Sequence, residues 1–306
     1  MSDQTKKKYL ITGAYGFVGK YLRDFIEAEG EVVIGTGLES ENPQVVTDVT
    51  DRDQVFAVLS EHKPDYIIHL AGFSSVAKSF AYPDLCHKIN VEGTKNLMEG
   101  IEKKCPEARV LIISSSHVYG KPNYLPIDEK HPLKGESPYA KSRIEQEKVV
   151  KSFDDVNWVI SRSFNHTGPG QPLGFVVPDF AHQVAEIMKG NAEPVVKVGN
   201  LAAKRDISDV RDVIRAYVLL VSKGDIHEVY NVCSGRSYSI RGSLDELIGL
   251  SGVDVEVIVD DDKFRPVDVK TICGSNKKVI DNLGWKRQLA FQKTLEDSLK
   301  YFVERR

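Results

Sequence analysis

The chain has 306 residues, of which 41% are hydrophobic and 28% are charged, as is ordinary for a soluble globular protein. Its formal net charge is -3 and its only basic run is Lys6, Lys7 and Lys8, so nothing indicates a nucleic-acid surface. No apolar stretch approaches the roughly 20 residues that a membrane helix needs, and the length suffices for one large core or two modest ones.

The polar start "MSDQTKKKYLITG" runs directly into a predicted strand, so we expect no signal peptide. The cysteines are scattered and form no C-x-x-C pair. We therefore expect reduced thiols, no disulfide framework, no metal site and a cytoplasmic protein. The four positions are Cys86, Cys105, Cys233 and Cys273.

The first half of the chain alternates short apolar runs with stretches of helical spacing. The predicted strands, in order, are "KYLITG", "EVVIGT", "DYIIHLAG" and "RVLIISSS". The predicted helices between them are "YLRDFIEAEG" and two segments near residues 51–62 and 84–104. Apolar strands separated by helices predict a parallel sheet covered on both faces, that is, a doubly wound, Rossmann-type α/β fold.

After "WVISRSF" (158–164) this alternation breaks, and "NHTGPGQPLGFVVP" is predicted to be largely loop. The elements predicted next are helices near 179–189 and 210–222, strand "VYNVCS", helix "SLDELIGL", strand "VEVIVD" and a terminal helix. We therefore predict a dinucleotide-binding domain at 1–164 and a smaller α/β substrate lobe at 165–306, partly interleaved with the first.

The segment "TGAYGFVG" places Gly13, Gly16 and Gly19 between the first strand and the first helix. Glycine there permits a tight turn, a close approach of the backbone to a pyrophosphate, and close packing of helix on strand. The pyrophosphate would lie at the helix N-terminus, among free N–H groups and the positive end of the dipole. This pattern predicts a dinucleotide site.

The end of the second strand decides between the two nicotinamide cofactors. An acidic residue there binds the ribose hydroxyl of NAD, whereas an arginine favours NADP. The segment carries Thr36, Gly37, Leu38 and Glu39, which match neither pattern. Glu39 either reaches the ribose or is solvated, so both NADP(H) and NAD(H) remain open.

The segment "SPYAKSRIEQE" (137–147) predicts a helix with Ser137 as its N-cap and Pro138 in its first turn. Residues four apart share a helix face, so Arg143 lies beneath Tyr139, whereas Lys141 points about 200° away. A tyrosine near a cation is a stronger acid and can donate the proton that reduction of a ketone requires. The alternative is an ordinary amphipathic helix with a surface arginine.

The glycine spacing G-x-x-G-x-x-G resembles the extended short-chain dehydrogenase/reductase family. That resemblance implies an acidic residue near the adenine after the third strand, which is Asp48, although Asp48 fits a helix cap equally well. The cofactor site that it implies consists of Gly13, Tyr15, Gly16, Phe17, Val18, Gly19, Thr36, Glu39, Asp48, Val49, Leu70, Ala71, Gly72, Tyr139 and Arg143.

The same resemblance implies a catalytic group of Ser115, Tyr139 and Arg143, with His117 beside them. The family carries a lysine where this chain has Arg143, which favours a retained but altered activity. Ser115 lies four residues before the Tyr-Gly of "IISSSHVYG", and Ser114 and Ser116 are alternatives one residue away. His117 stands where the related sugar-nucleotide dehydratases carry a glutamate.

Four segments resemble the GDP-4-keto-6-deoxy-mannose reductases and, more distantly, the GDP-mannose 4,6-dehydratases: "SRSFNHTGPGQPLGFVVPDFAHQ", "KVGNLAAKRDISDVRDVIRAY", "VYNVCSG" and "FRPVDVKTICGSNKK". The resemblance implies a GDP-sugar substrate and a homodimer formed through a four-helix bundle. Asn165 and two arginines would hold the diphosphate, although Arg205 equally fits a surface pair with Asp206 or Asp209. The implied substrate residues are Ser74, Ser75, Ser115, Ser116, His117, Asn165, Val177, Phe180, Arg205 and Arg265.

The resulting expectation is a reductase that transfers hydride from NAD(P)H to the 4-keto group of GDP-4-keto-6-deoxy-D-mannose and gives GDP-D-rhamnose. The first alternative is a GDP-mannose 4,6-dehydratase or a nucleotide-sugar C4 epimerase. His117, and Leu38 where dehydratases carry arginine, argue against the dehydratase. The second alternative is a non-catalytic NAD(P)- or nucleotide-sugar-binding protein, which Arg143 keeps open.

Overall fold

The structure is a computed structural model that describes residues 6–38, 44–260 and 269–305. Its strands are β1 Lys8–Thr12, β2 Val32–Gly37, β3 Val45–Val46, β4 Tyr66–His69, β5 Arg109–Ser115, β6 Asn157–Ser163, β7 Asn165–Thr167, β8 Val195–Val198, β9 Lys204–Asp209, β10 Glu228–Val232, β11 Ser237–Ser239 and β12 Glu256–Val259. Its helices are α1 Phe17–Ala28, α2 Arg52–His62, α3 Val76–Ala81, α4 Pro83–His87, α5 Gly93–Lys104, α6 Pro138–Lys151, α7 Val176–Met188, α8 Val210–Lys223, α9 Ile240–Ser251, α10 Lys277–Leu283 and α11 Phe291–Glu304. A π-helical turn, Lys88–Glu92, joins α4 to α5.

The large sheet has seven parallel strands in the order β10-β6-β5-β4-β1-β2-β3. The predicted doubly wound, parallel α/β fold is therefore confirmed. The order reverses between β1 and β4, which is the point where ligands bind in such sheets. Strand β10 lies after residue 165 in the chain, so the polypeptide returns to the first sheet after leaving it.

Both faces of the sheet carry an apolar core, because side chains alternate along each strand. Leu10 faces the core formed with α2, α5 and α6, and its neighbour Ile11 faces the core formed with α1 and α8. In the described ranges, no helix is long and apolar enough to cross a membrane.

The second lobe is built from two small sheets, β11-β9-β7 and β12-β8, packed with α7, α9 and α11 around a core of its own. The prediction of loop up to Pro178 was wrong in part. Helix α7 begins at Val176, and Pro178 lies in its first turn, where a missing N–H costs no hydrogen bond. Residues 165–167 also pair with β9.

Parallel pairing brings the carboxyl ends of the central strands to one edge. Thr12 lies opposite both Thr36 and His69, and Ser115 lies opposite Ser163. The loops that leave this edge, together with the start of α6, form the candidate site.

Candidate active site

The glycine loop is packed too tightly for larger residues at two of its three glycines. Gly13 has a φ of +69°, and a Cβ there would lie 2.8 Å from the backbone nitrogen of Ala71. A Cβ at Gly19 would lie 2.4 Å from the carbonyl oxygen of Gly13. The loop therefore packs closely between the end of β4 and the start of α1.

The N-terminus of α1 is open to an anion. The helix begins at Phe17 after Gly16, which has no side chain to cap it, and its first turn contains no acidic residue. The amide of Lys20 makes the first helical hydrogen bond, to the carbonyl of Gly16. The preceding amides of Phe17 and Val18, within the first turn, have no helical carbonyl to bond and provide donors for a phosphate.

Tyr15 covers the end of β2. A Cβ at Gly37 would lie 2.9 Å from its ring, its hydroxyl accepts from the amide of Gln44 at 2.7 Å, and the Arg23 guanidinium lies 4.8 Å from the ring centroid. Thr36 is buried, and its hydroxyl has no hydrogen-bond partner among the described residues. Glu39 lies outside the described residues.

Asp48 does not cap a helix, so that alternative was wrong. The cap of α2 is Asp51, whose carboxylate accepts from the amides of Asp53 and Gln54. Asp48 instead accepts from the amide and hydroxyl of Thr50, at 2.8 and 2.9 Å.

The neighbouring Val49 is buried, and a Cβ at Gly93 would lie 2.8 Å from its side chain. The loop after β4 also lies against the cofactor loop, since the amides of Leu70 and Ala71 donate to the carbonyl and the hydroxyl of Thr12.

Helix α6 begins as the sequence predicts. Ser137 caps it by accepting from the amide of Ala140, Pro138 is its first residue, and Tyr139 is 7% exposed. The amide of Tyr139 donates to the hydroxyl of Ser79 at 3.2 Å, which ties the start of α6 to α3. The tyrosine ring therefore has a fixed position at the edge of the sheet.

Arg143 lies beneath Tyr139, with its guanidinium carbon 5.3 Å from the ring centroid, whereas Lys141 is exposed. Arg143 is only 6% exposed. Its Nη1 donates to the carbonyl of Ile113 at 3.1 Å and to Oε1 of Gln146 at 2.9 Å. Among the described residues, no carboxylate pairs with Arg143 and its Nε has no partner, so a buried positive charge faces the site.

The three serines at the end of β5 differ in their partners. Ser114 donates to the carboxylate of Glu147 at 2.7 Å, in a buried cluster that also holds Arg162. Within the described ranges, the hydroxyl of Ser115 accepts a 3.3 Å bond from the amide of His117 and donates to no acceptor, which leaves its proton for a ligand. Ser116 begins a 3₁₀ turn.

His117 is exposed beside the tyrosine. Its ring lies 5.8 Å from that of Tyr139 in an edge-on arrangement. His117 thus connects Ser115 to Tyr139 and Arg143, and Arg143 lies against Gly72, the neighbour of the Ala71 that packs on Gly13 of the glycine loop.

A buried polar chain beneath these residues was missed by the sequence analysis. Nε2 of Gln146 donates to the hydroxyl of Thr94 at 2.8 Å, and Thr94 contacts Nε2 of His69 at 3.1 Å. Nδ1 of His69 contacts the hydroxyl of Thr12 at 2.7 Å. Burial, and then the charge of Arg143, lower the pKa of His69 to about 3, so its imidazole is neutral. The three-residue spacing of Arg143 and Gln146 predicts that they share a helix face, so Gln146 could have been found from the sequence. No local sequence pattern indicates that Thr94 or His69 lies near them.

The predicted substrate residues occupy three settings. Ser74 is exposed near the site, and Ser75 caps α3 by accepting from the amide of Lys78. Asn165 is exposed on β7. Val177 and Phe180 are at most 4% exposed, so their side chains pack in the core of the second lobe.

Arg205 donates to the carbonyls of Lys204 and Val269, at 2.9 and 2.6 Å. The carboxylate of Asp206 accepts from Ser234, Gly235 and Gly274. Arg265 lies outside the described residues, and within the described ranges no group of histidine, cysteine or carboxylate side chains could hold a metal.

The comparisons with known proteins agree with this geometry. A family profile described as GDP-mannose 4,6 dehydratase matches residues 10–298. The chain belongs to this family. It is similar to the GDP-6-deoxy-D-mannose reductase of Pseudomonas aeruginosa, with 31% identity over 98% of each chain. It is also similar to the GDP-mannose 4,6-dehydratase of Vibrio cholerae, with 27% identity over 94% of this chain and 91% of the relative.

The solved structure of RMD from Pseudomonas aeruginosa, complexed with NADPH, has the same fold. Its TM-score is 0.89 at 31% identity, and the match covers 97% of this chain and 99% of that one. The resemblance inferred from the sequence, to the extended short-chain dehydrogenase/reductases and to this branch of them, is therefore confirmed.

Proposed function

We propose that the protein is a reductase that transfers hydride from NADPH to the 4-keto group of GDP-4-keto-6-deoxy-D-mannose, giving GDP-D-rhamnose. The proposal rests on one observation: Ser115, Tyr139 and the buried Arg143 lie close together beside the glycine loop. The similarity to the GDP-6-deoxy-D-mannose reductase supports the choice of substrate.

The residues present fit a nicotinamide dinucleotide. Gly13 and Gly19 allow the loop to pack closely between β4 and α1, and the uncapped start of α1 offers backbone amides to a pyrophosphate. Thr36 and Arg143 each carry a buried polar atom without a partner among the described residues. We assign NADP(H), the cofactor in the similar solved structure, with NAD(H) as the alternative.

The protein contributes acid catalysis and orientation. The bound cofactor supplies the hydride for C4. In the same step Tyr139 donates its hydroxyl proton to the C4 oxygen, so that the ketone becomes an alcohol. Ser115 orients that oxygen through its free hydroxyl proton, and the charge of Arg143 stabilises the phenolate that Tyr139 becomes.

The second lobe, residues 165–306, is proposed to hold the GDP moiety. Asn165 is exposed on β7, two residues after Ser163, which is the sheet partner of Ser115, and Arg205 presents a cation of the kind that binds a diphosphate. Because Val177 and Phe180 are buried, we propose that they shape the nucleotide pocket without making polar contacts to the nucleotide.

The leading alternative is a dehydratase or an epimerase, since such enzymes are among the relatives. A dehydratase needs an acid/base group beside the tyrosine to eliminate water, and this chain has His117 where those enzymes carry a glutamate. Leu38, which is 62% exposed, stands where they carry an arginine. Both residues favour the reductase.

The deciding experiment is the loss of NADPH absorbance, and then of NADH absorbance, on adding GDP-4-keto-6-deoxy-D-mannose. We expect turnover by the wild type, a loss of at least a hundredfold in Tyr139→Phe, and an Arg143→Lys variant within about tenfold of the wild type, because it keeps the cation. Analysis of the product defines the configuration at C4.

Cofactor binding without turnover by the wild type would contradict the proposal. If Arg143→Lys alone were active, the natural role would be binding.

We also propose a homodimer in the cytoplasm. Helix α6 packs against the helical segment formed by α4, the π-helical turn and α5, and these two segments from each of two copies would make a four-helix bundle. Large apolar side chains are exposed where this face begins: Phe80, Tyr82 and Leu85. The free cysteines fit a reducing compartment.

A further inference from the structure

The guanidinium of Arg143 needs more acceptors than a lysine ammonium would, because its planar fork carries five N–H donors. We infer that Gln146 is a positioning residue that holds this guanidinium beneath Tyr139, and that the two residues together do what lysine does in related catalytic helices. The inference rests on the proposed function and extends it to a residue that does not touch the substrate. Gln146 is 0% exposed and accepts from Nη1 of Arg143 at 2.9 Å.

The orientation of the Gln146 amide is set by its other partner, Thr94. The Thr94 hydroxyl has one proton, which it donates to the carbonyl of Asn90 at 2.7 Å. Towards Gln146, at 2.8 Å, Thr94 can therefore only accept, so the nitrogen of the amide lies there. The oxygen of the amide must then face Arg143, where it serves as an acceptor for the cation.

The same reasoning fixes the rest of the buried chain. Because the proton of Thr94 goes to Asn90, Thr94 also accepts from Nε2 of His69, so the neutral His69 carries its proton on Nε2. Nδ1 of His69 is then an acceptor, and Thr12, which accepts from the amide of Ala71 at 3.1 Å, donates its proton to it. The hydrogen bonds that start at Thr12 and those that start at Arg143 therefore both lead to Thr94, and Gln146 connects Thr94 to the cation.

Kinetics of Gln146→Met, which keeps the size of the side chain and removes the amide, test the inference. We expect kcat to fall about tenfold and the KM for the keto-sugar to change less than twofold, because the cation moves and the sugar site does not. Gln146→Glu should lose at least as much, since it cannot donate to Thr94 and its charge would neutralise that of Arg143. The matched control is Thr294→Val in helix α11. It removes a buried hydroxyl that donates to the carboxylate of Asp209, and kcat should stay within twofold of the wild type.

Chemical rescue separates positioning from a general loss of structure. Arg143→Ala should regain at least tenfold in kcat on addition of millimolar methylguanidinium, whereas Arg143→Ala/Gln146→Met should not. Equal rescue with and without Gln146, or an unchanged kcat in Gln146→Met, would overturn the inference and leave the reductase function standing.

Should the wild type bind NADPH without turning over the sugar, the proposed function fails and a fluorescence titration with NADPH decides the inference instead. A Kd raised at least threefold in Gln146→Met, and unchanged in Thr294→Val, would support it. Equal Kd values would overturn it.

Discussion

Gly72 shows how closely the residues around Arg143 fit an arginine. A Cβ at this position would lie 2.7 Å from Nη2 of Arg143 and 3.0 Å from Oδ1 of Asn90. The guanidinium cannot move away without giving up its bonds to Ile113 and Gln146. The absence of a side chain at residue 72 is therefore part of what permits arginine at residue 143.

We predict that Gly72→Ala lowers kcat more than tenfold, because the methyl group displaces the guanidinium. Adding Arg143→Lys should recover part of that loss, since lysine has no second terminal nitrogen to collide with. Gly249→Ala is the control: its Cβ would meet nothing within 4 Å, and alanine in helix α9 should stabilise the protein by about 0.5–1 kcal/mol without a change in kcat. Additive losses in the double variant would contradict the prediction.

Among the helices, α6 carries Tyr139, the proposed catalytic tyrosine, one residue after its first helical position. Its start is held by the hydroxyl of Ser137, which accepts from Ala140 at 3.1 Å, and by that of Ser79, which accepts from Tyr139. Fraying of this first turn would therefore move the tyrosine itself.

Ser137→Ala should cost about 1 kcal/mol in the free energy of unfolding and also lower kcat several-fold. Ser239→Ala removes the equivalent cap of α9, where the hydroxyl accepts from Gly242 at 3.2 Å, and should cost a similar amount without changing kcat. Denaturant unfolding and steady-state kinetics on both variants measure the two effects. Equal kcat values in Ser137→Ala and the wild type would show that Tyr139 does not depend on the cap.

Element order was largely predictable, because strands and helices follow local periodicities. The alternation of "KYLITG" with helical spacing predicts β1 and α1 to within a few residues. The strands β7, β8, β9 and β11 of the second lobe were not predicted. Of these, β7 and β11 have three residues each, which show no period, and both are held by pairing with β9.

The proposed dimer predicts the mass of the whole molecule in solution. Leu85 is 48% exposed at the start of the proposed bundle face, and a charge there would have to be buried in the interface. Light scattering should give twice the chain mass for the wild type and a shift towards the single mass for Leu85→Glu. Leu250→Glu, 38% exposed on α9, should leave the dimer intact. A wild type of single mass would contradict the proposal.

The buried His69 links the site to the acid stability of the whole fold. Its pKa is about 3 in the folded protein and about 6.5 in the unfolded chain, so only the unfolded chain takes up the proton between these values. The contribution of His69 is therefore fully present above pH 6.5 and is lost as the pH falls towards 3.

His69→Gln has no such titration. From pH 7 to pH 5, the difference in free energy of unfolding between the wild type and this variant should shift by about 2 kcal/mol in favour of the variant. Urea unfolding at the two pH values measures the shift. A constant difference would mean that folding does not lower the pKa of His69.

Some features of the site follow from the sequence by itself. The strand, glycine turn and helix of "KYLITGAYGFVG", and the shared face of Tyr139 and Arg143, depend only on the local geometry of the backbone. Folding of the whole chain brings Ser114 to Glu147 and Gln146 to the cation, and it leaves the proton of Ser115 without an acceptor among the described residues. Those choices depend on hydrogen-bond partners that are distant in the chain, and no local pattern records which donor will meet which acceptor.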